Sequence, residues 1–303
     1  MKGCVIGVLG SGPAGLAAAM SLARANVKTV VFAGDKFGGQ IIDAVKINNC
    51  PGFEHNISGQ KMIDILYDQA VYYGAEMVNK TVTKVNFNNK PLIVYTSDGE
   101  EIFLDAVVIT TGKKANRLPI AEKFVGRGVS YCAVCDGPFF KNKDVCVVGG
   151  GDSALKASLF LSPLVHSVHV FVRSNVMRAS LINQRLVFEK HNIFIHRNAE
   201  IINVKGDDCV NGIELLEDNV KKFMRMDGIF VMTGSVPVTD IFEDCLNLDS
   251  EGYIITDNKC RTNIAGVFAA GDVQSDTYKQ VSIAIGNATT AALTALTFLQ
   301  KNK

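Results

Sequence analysis

Cys132 and Cys135 form the only CxxC among the eight cysteines of this 303-residue chain. Three kinds of chemistry suit such a pair: zinc binding, a structural disulfide and redox exchange. Zinc sites need four ligands, but there is no second CxxC, and His166 and His169 would point to opposite faces of a strand. A disulfide across so short a loop adds little stability and is rare in reducing compartments. The pattern therefore favours a dithiol without a metal, in which one thiolate attacks a disulfide and the other resolves the mixed disulfide.

Two glycine-rich turns could position nucleotides for this dithiol. The apolar run Val5–Leu9 leads into Gly10-Ser-Gly-Pro-Ala-Gly15 and a helical stretch, and Val145–Val148 leads into Gly149-Gly-Gly-Asp-Ser-Ala154. In such a turn the first glycine permits the tight bend, the second lets a pyrophosphate approach the backbone, and the third position packs closely against the strand. The helix N-terminus adds a positive dipole. Because the pattern occurs twice, we predict two dinucleotide sites.

Each turn is followed by the same series of elements. A second strand, a three-stranded meander and a closing strand follow in both halves, and Asp227–Gly234 repeats Asp105–Gly112 almost residue for residue. This order predicts an α/β fold with two Rossmann-like, three-layer dinucleotide-binding domains. The tail after Cys245, which contains Tyr253–Thr256, Val267–Asp272 and a long helix, is too short for a third domain. We therefore expect the second domain, residues 113–244, to be inserted into a first domain made of residues 1–112 and 245–303.

Charge and hydropathy limit the partners and the compartment. Thirty-one Lys and Arg against thirty Asp and Glu leave a net charge of +1, which does not suggest a nucleic-acid partner. The uncharged stretch 3–23 contains five glycines and Pro13, which argues against a membrane span. A second uncharged stretch, 283–299, is predicted as a buried helix. With no secretory signal in front of scattered cysteines, we expect a reducing, cytoplasmic location.

The residues after the second strand of each half bear on which nucleotide is bound. In the second half, residues 172–178 contain Arg173 and Arg178 and no acid, which favours the 2′-phosphate of NADPH over NADH. In the first half the equivalent residue is Ala33, so Asp35 or the backbone must serve the ribose. Because a nicotinamide does not readily reduce a disulfide directly, we expect the other dinucleotide to be a flavin.

The chain resembles the low-molecular-weight, bacterial-type thioredoxin reductases over essentially its whole length. Besides both glycine turns, it carries six of their motifs in order: Gly38-Gly-Gln40, Asn49-Cys-Pro-Gly-Phe53, Cys132-Ala-Val-Cys-Asp-Gly137, Gly234-Ser-Val-Pro237, Gly271-Asp-Val273 and Lys279-Gln-Val281. The resemblance implies a homodimeric thioredoxin-disulfide reductase that passes two electrons from NADPH through FAD and the Cys132/Cys135 dithiol to thioredoxin.

The resemblance also implies roles for individual residues. Cys135 would face the flavin, Cys132 would attack thioredoxin, and Asp136 would be the acid beside them. Asp272 would bind the ribityl chain of FAD. The FAD site would comprise Gly10, Gly12, Pro13, Ala14, Gly15, Gly38, Gly39, Gln40, Asn49, Gly112, Gly271, Asp272, Lys279, Gln280 and Val281. The NADPH site would comprise Gly149, Gly151, Asp152, Ser153, Ala154, Arg173 and Arg178.

One departure from the family pattern keeps alternatives open. Ser174 stands where the family usually has a second arginine, so one contact to a 2′-phosphate is missing. The sequence is also compatible with a flavin-dependent disulfide reductase that uses NADH or ferredoxin, or that reduces another thioredoxin-like protein. It is equally compatible with a non-catalytic protein that senses a nucleotide or holds a metal and in which the CxxC is structural.

Overall fold

The computed structural model describes residues 5–301, which fold into two compact units. The first unit takes the chain up to Lys114 and again from Val236, and the second spans Ala115–Ser235. The chain passes between them in two short strands, Lys113–Ala115 and Ser235–Pro237, which pair with each other.

In both units a strand, a glycine turn, a helix, a second strand, a three-stranded meander and a closing strand follow one another, as the sequence predicts. The strands are β1 (Val5–Leu9), β2 (Lys28–Phe32), β3 (Glu76–Val78), β4 (Val82–Asn86), β5 (Leu92–Thr96), β6 (Glu101–Leu104), β7 (Ala106–Ile109), β8 (Lys113–Ala115), β9 (Val129–Ser130), β10 (Asp144–Val148), β11 (Ser167–Val172), β12 (Ile193–Arg197), β13 (Ala199–Gly206), β14 (Val210–Glu217), β15 (Val220–Arg225), β16 (Gly228–Val231), β17 (Ser235–Pro237) and β18 (Val267–Ala269). The α-helices are α1 (Pro13–Arg24), α2 (Gly59–Tyr72), α3 (Ala133–Asp136), α4 (Asp152–Leu161), α5 (Leu181–Phe188) and α6 (Val281–Lys301).

The first unit is a three-layer structure. Its central sheet has the order β18-β7-β1-β2-β3, and all of its pairings are parallel. Parallel sheets are covered on both faces, which is why β7 reads as the uninterrupted apolar run Ala-Val-Val-Ile. Helices α1 and α6 cover one face, and the antiparallel meander β4-β5-β6 covers the other through Leu92, Val94 and Leu104.

The second unit repeats this architecture. Its parallel sheet has the order β12-β11-β10-β16-β9. Helix α4 packs on one face through Ala154, Leu155 and Leu161, and the meander β13-β14-β15 packs on the other through Ile213 and Leu215. The prediction of an α/β fold with two Rossmann-like domains is thereby confirmed.

Helix α6 is long and apolar enough to cross a membrane by length and composition alone. In the fold its small side chains pack against the alanine-rich helix α1, where their size lets the two helix backbones come close. The buried residues of α6 are Ala284, Ala288, Ala291, Ala292, Ala295, Leu296 and Leu299. One face of this helix is therefore part of the core of the first unit.

The limit between the two compact units lies at 235/236, earlier in the chain than the crossing predicted at 244/245. Residues 236–244 group with the first unit, not with the inserted one, because Phe242 is fully buried there and stacks on Phe87 at 6.4 Å between ring centroids. In the tail, Ile254 forms isolated β-bridges with Leu248 and Gln274. The division into an FAD domain and a nucleotide domain at 112/113 and 244/245 stays a prediction.

Candidate active site

Two glycines of the first turn are required by packing. Gly10 has φ +115°, and a Cβ there would lie 2.5 Å from the carbonyl oxygen of Thr110. A Cβ on Gly15 would lie 1.9 Å from the carbonyl oxygen of Gly10. Thr110 holds the same turn through its side chain, because its Oγ1 donates to the carbonyl of Leu9 at 2.9 Å. These contacts bring the start of α1 close to the end of β1.

The middle of the first turn faces open space. A Cβ on Gly12 would meet nothing nearer than the Gly38 oxygen at 3.8 Å, and one on Gly39 nothing nearer than the Gly12 Cα at 3.6 Å. Helix α1 begins at Pro13 directly after Gly12, and no side chain caps it. The backbone of the turn therefore leaves room for an anion at a positive helix end. Ser11 fixes the loop, since its buried Oγ donates to Ala33 O at 2.8 Å and accepts from Gly38 N at 3.1 Å.

Several predicted FAD residues from distant parts of the chain are joined to other parts of the first unit. Asn49 Nδ2 donates to Gln280 Oε1 at 2.9 Å, which joins the loop before α2 to the start of α6. Gln40 Nε2 donates to the carbonyl of Lys113. Gly112, at φ +69°, has no atom within 4 Å of an added Cβ. The structure thus places these residues in the same unit as the first glycine turn.

Asp272 lies in the first unit, between strand β18 and helix α6. Its neighbour Gly271 has φ +81° and would bring a Cβ to 2.9 Å from the Cβ of Ala14, the second residue of α1. Burial raises the pKa of the Asp272 carboxyl, and the positive charges of Lys113 and Lys279 oppose that rise. Within residues 5–301 no group donates a hydrogen bond to this carboxylate. A desolvated acceptor without a donor fits a hydroxyl-bearing ligand.

The second turn has the same division between packed and open positions. A Cβ on Gly149, at φ +140°, would lie 2.4 Å from the carbonyl oxygen of Met232, whereas one on Gly151 would have no atom within 4 Å. Helix α4 begins at Asp152 immediately after Gly151, and no side chain caps it. In its first turn Ser153 is exposed, and Ala154 is buried in the core.

The loop with the two predicted arginines folds back onto this turn. The carbonyl of Gly150 accepts hydrogen bonds from the backbone N–H groups of Arg178 at 2.8 Å and Ala179 at 3.1 Å. The side chains of Arg173 and Arg178 are exposed, and none of the described residues pairs with their guanidinium groups. The exposed Ser174 donates its hydroxyl to the carbonyl of Val176 at 2.7 Å.

Cys132 and Cys135 are joined in a disulfide, with their Cα atoms 5.3 Å apart. Cys132 is the N-cap of the short helix α3, and its Sγ accepts a hydrogen bond from the N–H of Cys135 at 3.2 Å. The N–H of Cys132 donates to Ser130 Oγ at 3.0 Å, which fixes the backbone before the helix. In the described part of the chain, no group of three or more His, Cys, Asp or Glu side chains could hold a metal ion.

Asp136 follows the pair directly and is half-buried. Burial raises the pKa of its carboxyl, and a hydrogen bond with Ser130 opposes the rise. A carboxyl with a raised pKa is a better proton donor near neutral pH than an exposed one.

Comparison with known proteins decides the chemistry of this site. The model of the pyridine nucleotide-disulphide oxidoreductase family matches residues 5–288. Thioredoxin reductase of Rickettsia conorii is 38% identical over 302 residues, covering 97% of both chains. That of Streptomyces coelicolor is 38% identical over 300 residues, covering 96% of this chain and 92% of its own.

The chain belongs to the thioredoxin reductases. Two solved thioredoxin reductases have the same fold, one from Streptococcus pyogenes and one from Giardia duodenalis, each with a TM-score of 0.94 and 32% identity. The alignment covers 99% of this chain and 100% of the first, and 98% of this chain and 99% of the second. The resemblance seen in the sequence motifs is confirmed, and so is the function: the chain is a thioredoxin-disulfide reductase, and the Cys132–Cys135 disulfide fits its redox-active dithiol.

The family uses a flavin and a nicotinamide nucleotide, and the structure has room for both. In the first unit the open backbone at Gly12 and the donor-free carboxylate of Asp272 fit a flavin dinucleotide. In the second unit the open backbone at Gly151, together with Arg173 and Arg178, whose guanidinium groups pair with no residue of 5–301, fits a nicotinamide nucleotide. The roles of the single residues stay predictions.

Some residues of these turns were missed by sequence reasoning. Ser11 and Thr110 hold the first turn, and Lys113 acts on Asp272 by its charge. Ser11 could have been found, because a small hydroxyl inside a glycine turn is suited to bonding the backbone. Lys113 carried no such signal, since its place beside Asp272 follows from the tertiary fold.

Proposed function

We propose that this thioredoxin reductase takes two electrons from NADPH, carries them through FAD held in the first unit, and delivers them through Cys132 and Cys135 to the disulfide of thioredoxin. The observation that supports the route most directly is the Cys132–Cys135 disulfide, carried by a chain with two open glycine turns. The proposal assigns the flavin to the first turn and the nicotinamide nucleotide to the second.

The residues proposed to hold FAD divide by the part of the cofactor they would meet. The backbone of Gly12 and the start of α1 would bind the pyrophosphate, and Asp272 would accept hydrogen bonds from the ribityl hydroxyls. FAD, once bound, supplies a carrier that accepts two electrons from a nicotinamide and gives them to a disulfide. Gln280 and Val281, at the start of α6, would lie at the flavin with a positive helix end behind them.

The exchange with thioredoxin is a dithiol–disulfide reaction. The Cys132 thiolate attacks one sulfur of the thioredoxin disulfide, which forms a mixed disulfide and releases one thioredoxin thiolate. Cys135 then attacks the Cys132 sulfur, which releases the second thioredoxin thiolate and restores the Cys132–Cys135 disulfide. Two electrons reach thioredoxin, and two protons complete its thiols. Asp136 is proposed to donate one of them, in keeping with its raised pKa.

The proposal of NADPH over NADH rests on Arg173 and Arg178, which flank the loop that folds onto Gly150. A guanidinium pairs well with a phosphate, and the 2′-phosphate is the group that NADH lacks. Replacing Arg173 or Arg178 by Ala should raise KM for NADPH about tenfold each and leave KM for NADH unchanged. Arg225→Ala, which removes an exposed arginine from β15 of the same unit, is the matched control.

Steady-state assays with NADPH, NADH and reduced ferredoxin test the electron donor. The proposal expects efficient turnover with NADPH, little with NADH and none with ferredoxin. Turnover with ferredoxin and none with NADPH would make ferredoxin the electron donor of the route. Ser174, which stands where the family usually has an arginine, would permit that outcome. Reduction of a different thioredoxin-like protein in preference to thioredoxin would change the acceptor.

We further propose that the enzyme is a homodimer in the cytoplasm, without nucleic-acid or membrane partners. In the described part of the chain the other cysteines, 50, 146, 209, 245 and 260, are free thiols, which suits a reducing compartment. The dimer rests on the family resemblance. Light scattering on the purified protein tests the dimer, and cell fractionation tests the compartment.

A further inference from the structure

Asp152, predicted from the sequence to bind the nucleotide, uses one carboxylate oxygen within the protein. Its Oδ1 accepts hydrogen bonds from the N–H of Ser180 at 2.9 Å, from Ser180 Oγ at 2.8 Å and from Asn183 Nδ2 at 2.5 Å. Ser180 is the N-cap of α5, and Asn183 lies in its first turn. The carboxylate therefore joins the first turn of α4 to the first turn of α5.

A second link joins the same two segments through the backbone. The carbonyl of Gly150 accepts from the N–H groups of Arg178 and Ala179, two and one residues before Ser180. Met177 and Ala179 are both buried in the core of the second unit. The short segment that carries Arg178 is thus fixed to the glycine turn at two points. The Gly150 carbonyl holds Arg178 and Ala179, and the Asp152 carboxylate holds Ser180.

Charge argues against a direct contact between Asp152 and a nucleotide phosphate. A carboxylate at the start of α4 would repel an anion bound at the same helix end. The hydrogen bonds from Asn183 and then Ser180 lower the pKa of Asp152, so the side chain is an ionised acceptor at neutral pH. Its charge is met by three donors of the protein, not by a ligand.

We propose that Asp152 is a positioning residue: it holds the α5 start, and with it Arg178, at the phosphate turn so that the guanidinium meets the 2′-phosphate of NADPH. This inference rests on the proposed use of NADPH. The Gly150 link belongs to the backbone and cannot be removed by a side-chain change. Asp152→Ala removes all three hydrogen bonds of the Asp152 link, and Asn183→Ala removes one of them and leaves the two from Ser180.

The test is the KM for NADPH and for NADH in Asp152→Ala, Asn183→Ala and the double variant. Asp152→Ala should raise KM for NADPH about tenfold and Asn183→Ala about threefold, with a much smaller change for NADH, which lacks the phosphate. The double variant should be no worse than Asp152→Ala, because Asp152→Ala already removes the Asn183 hydrogen bond. Asp152→Asn, which keeps an oxygen acceptor, should recover most of the affinity for NADPH.

Asn203→Ala is the matched control, because Asn203 donates an amide N–H to the carboxylate of Glu214 in the meander of the same unit at 3.1 Å. Its KM values should equal those of the wild type. If Asp152→Ala does not fold, Asn183→Ala decides alone, since it leaves the carboxylate and the Ser180 cap in place.

The outcomes separate the two proposals. A wild-type enzyme that prefers NADPH, together with an Asn183→Ala variant of unchanged KM, would overturn the positioning role and leave the NADPH proposal standing. An equally large rise in KM for NADPH and for NADH in Asp152→Ala would mean that Asp152 touches the nucleotide itself, which would also overturn the positioning role. A wild-type enzyme with no preference for NADPH would overturn the NADPH proposal and this inference with it.

Discussion

The backbone N–H of Cys135 donates a hydrogen bond to the sulfur of Cys132 at 3.2 Å while the two sulfurs are joined in a disulfide. Once the disulfide is reduced, this N–H stands next to the sulfur that the family resemblance assigns to attack on thioredoxin. An N–H donor favours a thiolate over a thiol. The local backbone thus supports the division of roles between the two cysteines.

This relationship predicts the order of alkylation. In the reduced enzyme, iodoacetamide at neutral pH should modify Cys132 faster than Cys135, because the thiolate is the reactive form. Peptide mapping by mass spectrometry after short exposures measures the two rates. Preferential modification of Cys135 would reverse the assigned roles. Cys146, which is fully buried, serves as the internal reference that stays unmodified in the folded protein.

Replacing Asp136 by Asn should separate activity from stability. Loss of the proton donor should lower thioredoxin turnover about a hundredfold. Burial raises the pKa of Asp136, so the ionised carboxylate costs stability at any pH above its ordinary value. Asp136→Asn should therefore unfold at a higher temperature than the wild type at pH 7, and the gain should shrink as pH falls towards 4.

Thermal unfolding at several pH values, alongside the thioredoxin assay, checks both halves of this prediction. Asp208→Asn, an exposed change in the same unit, should alter neither quantity. A variant as active as the wild type would remove Asp136 from the proton transfer.

A methyl group at Gly12 should block the flavin without harming the fold. Gly12 has φ −69°, which alanine adopts readily, and an added Cβ would come no nearer than 3.8 Å to the Gly38 oxygen. The same Cβ would occupy the space through which a pyrophosphate approaches the turn. Gly12→Ala should purify as a folded protein with flavin content reduced about tenfold or more.

Gly286→Ala is the matched control for this change. Gly286 lies inside helix α6 with no atom within 4 Å of an added Cβ, so alanine should keep the flavin and stabilise the helix by about 1 kcal/mol. Absorbance at the flavin band, divided by protein concentration, gives the comparison. Equal flavin content in both variants would place the pyrophosphate elsewhere.

Asp272→Asn should have opposite effects on the flavin-free and the flavin-bound protein. In the flavin-free protein it removes a desolvated charge, so the melting temperature should rise. In the flavin-bound protein the asparagine would offer the ribityl hydroxyls a neutral hydrogen-bond acceptor in place of a charged one, so flavin affinity should fall about tenfold. Melting curves with and without added FAD measure both effects. If added FAD raises the melting temperature of Asp272→Asn as much as that of the wild type, Asp272 is not part of the flavin site.

The sequence predicted the parts of the fold that depend on local pattern. The apolar run Val5–Leu9 is β1 to the residue, and Leu92–Thr96 is β5. Helix α1 begins at Pro13, three residues before the predicted Leu16, because proline is well suited to the first helical position. The position of the limit between the compact units, at 235/236, depends on which core receives Phe242, a property of tertiary packing that local pattern does not reveal.

The candidate site was predictable to the same extent. Glycine spacing identified both turns, and the CxxC identified the dithiol. The hydrogen bond between Asn49 and Gln280 joins residues 231 positions apart, and only the fold brings them together. Asp152 was assigned to the nucleotide by its place in the motif, and its bonds to Ser180 and Asn183 depend on α5, which the sequence pattern did not reveal.

The central claim is that electrons reach thioredoxin through Cys132 and Cys135, and one measurement tests it most directly. The FAD-loaded wild type and Cys132→Ser are mixed with NADPH and oxidised thioredoxin, and flavin absorbance, NADPH consumed and thioredoxin thiols formed are followed together. The account predicts two thiols per NADPH in the wild type. In Cys132→Ser it predicts a flavin still reduced by NADPH, with thiol formation lowered about a thousandfold or more. Thioredoxin reduction at the wild-type rate in Cys132→Ser would contradict it.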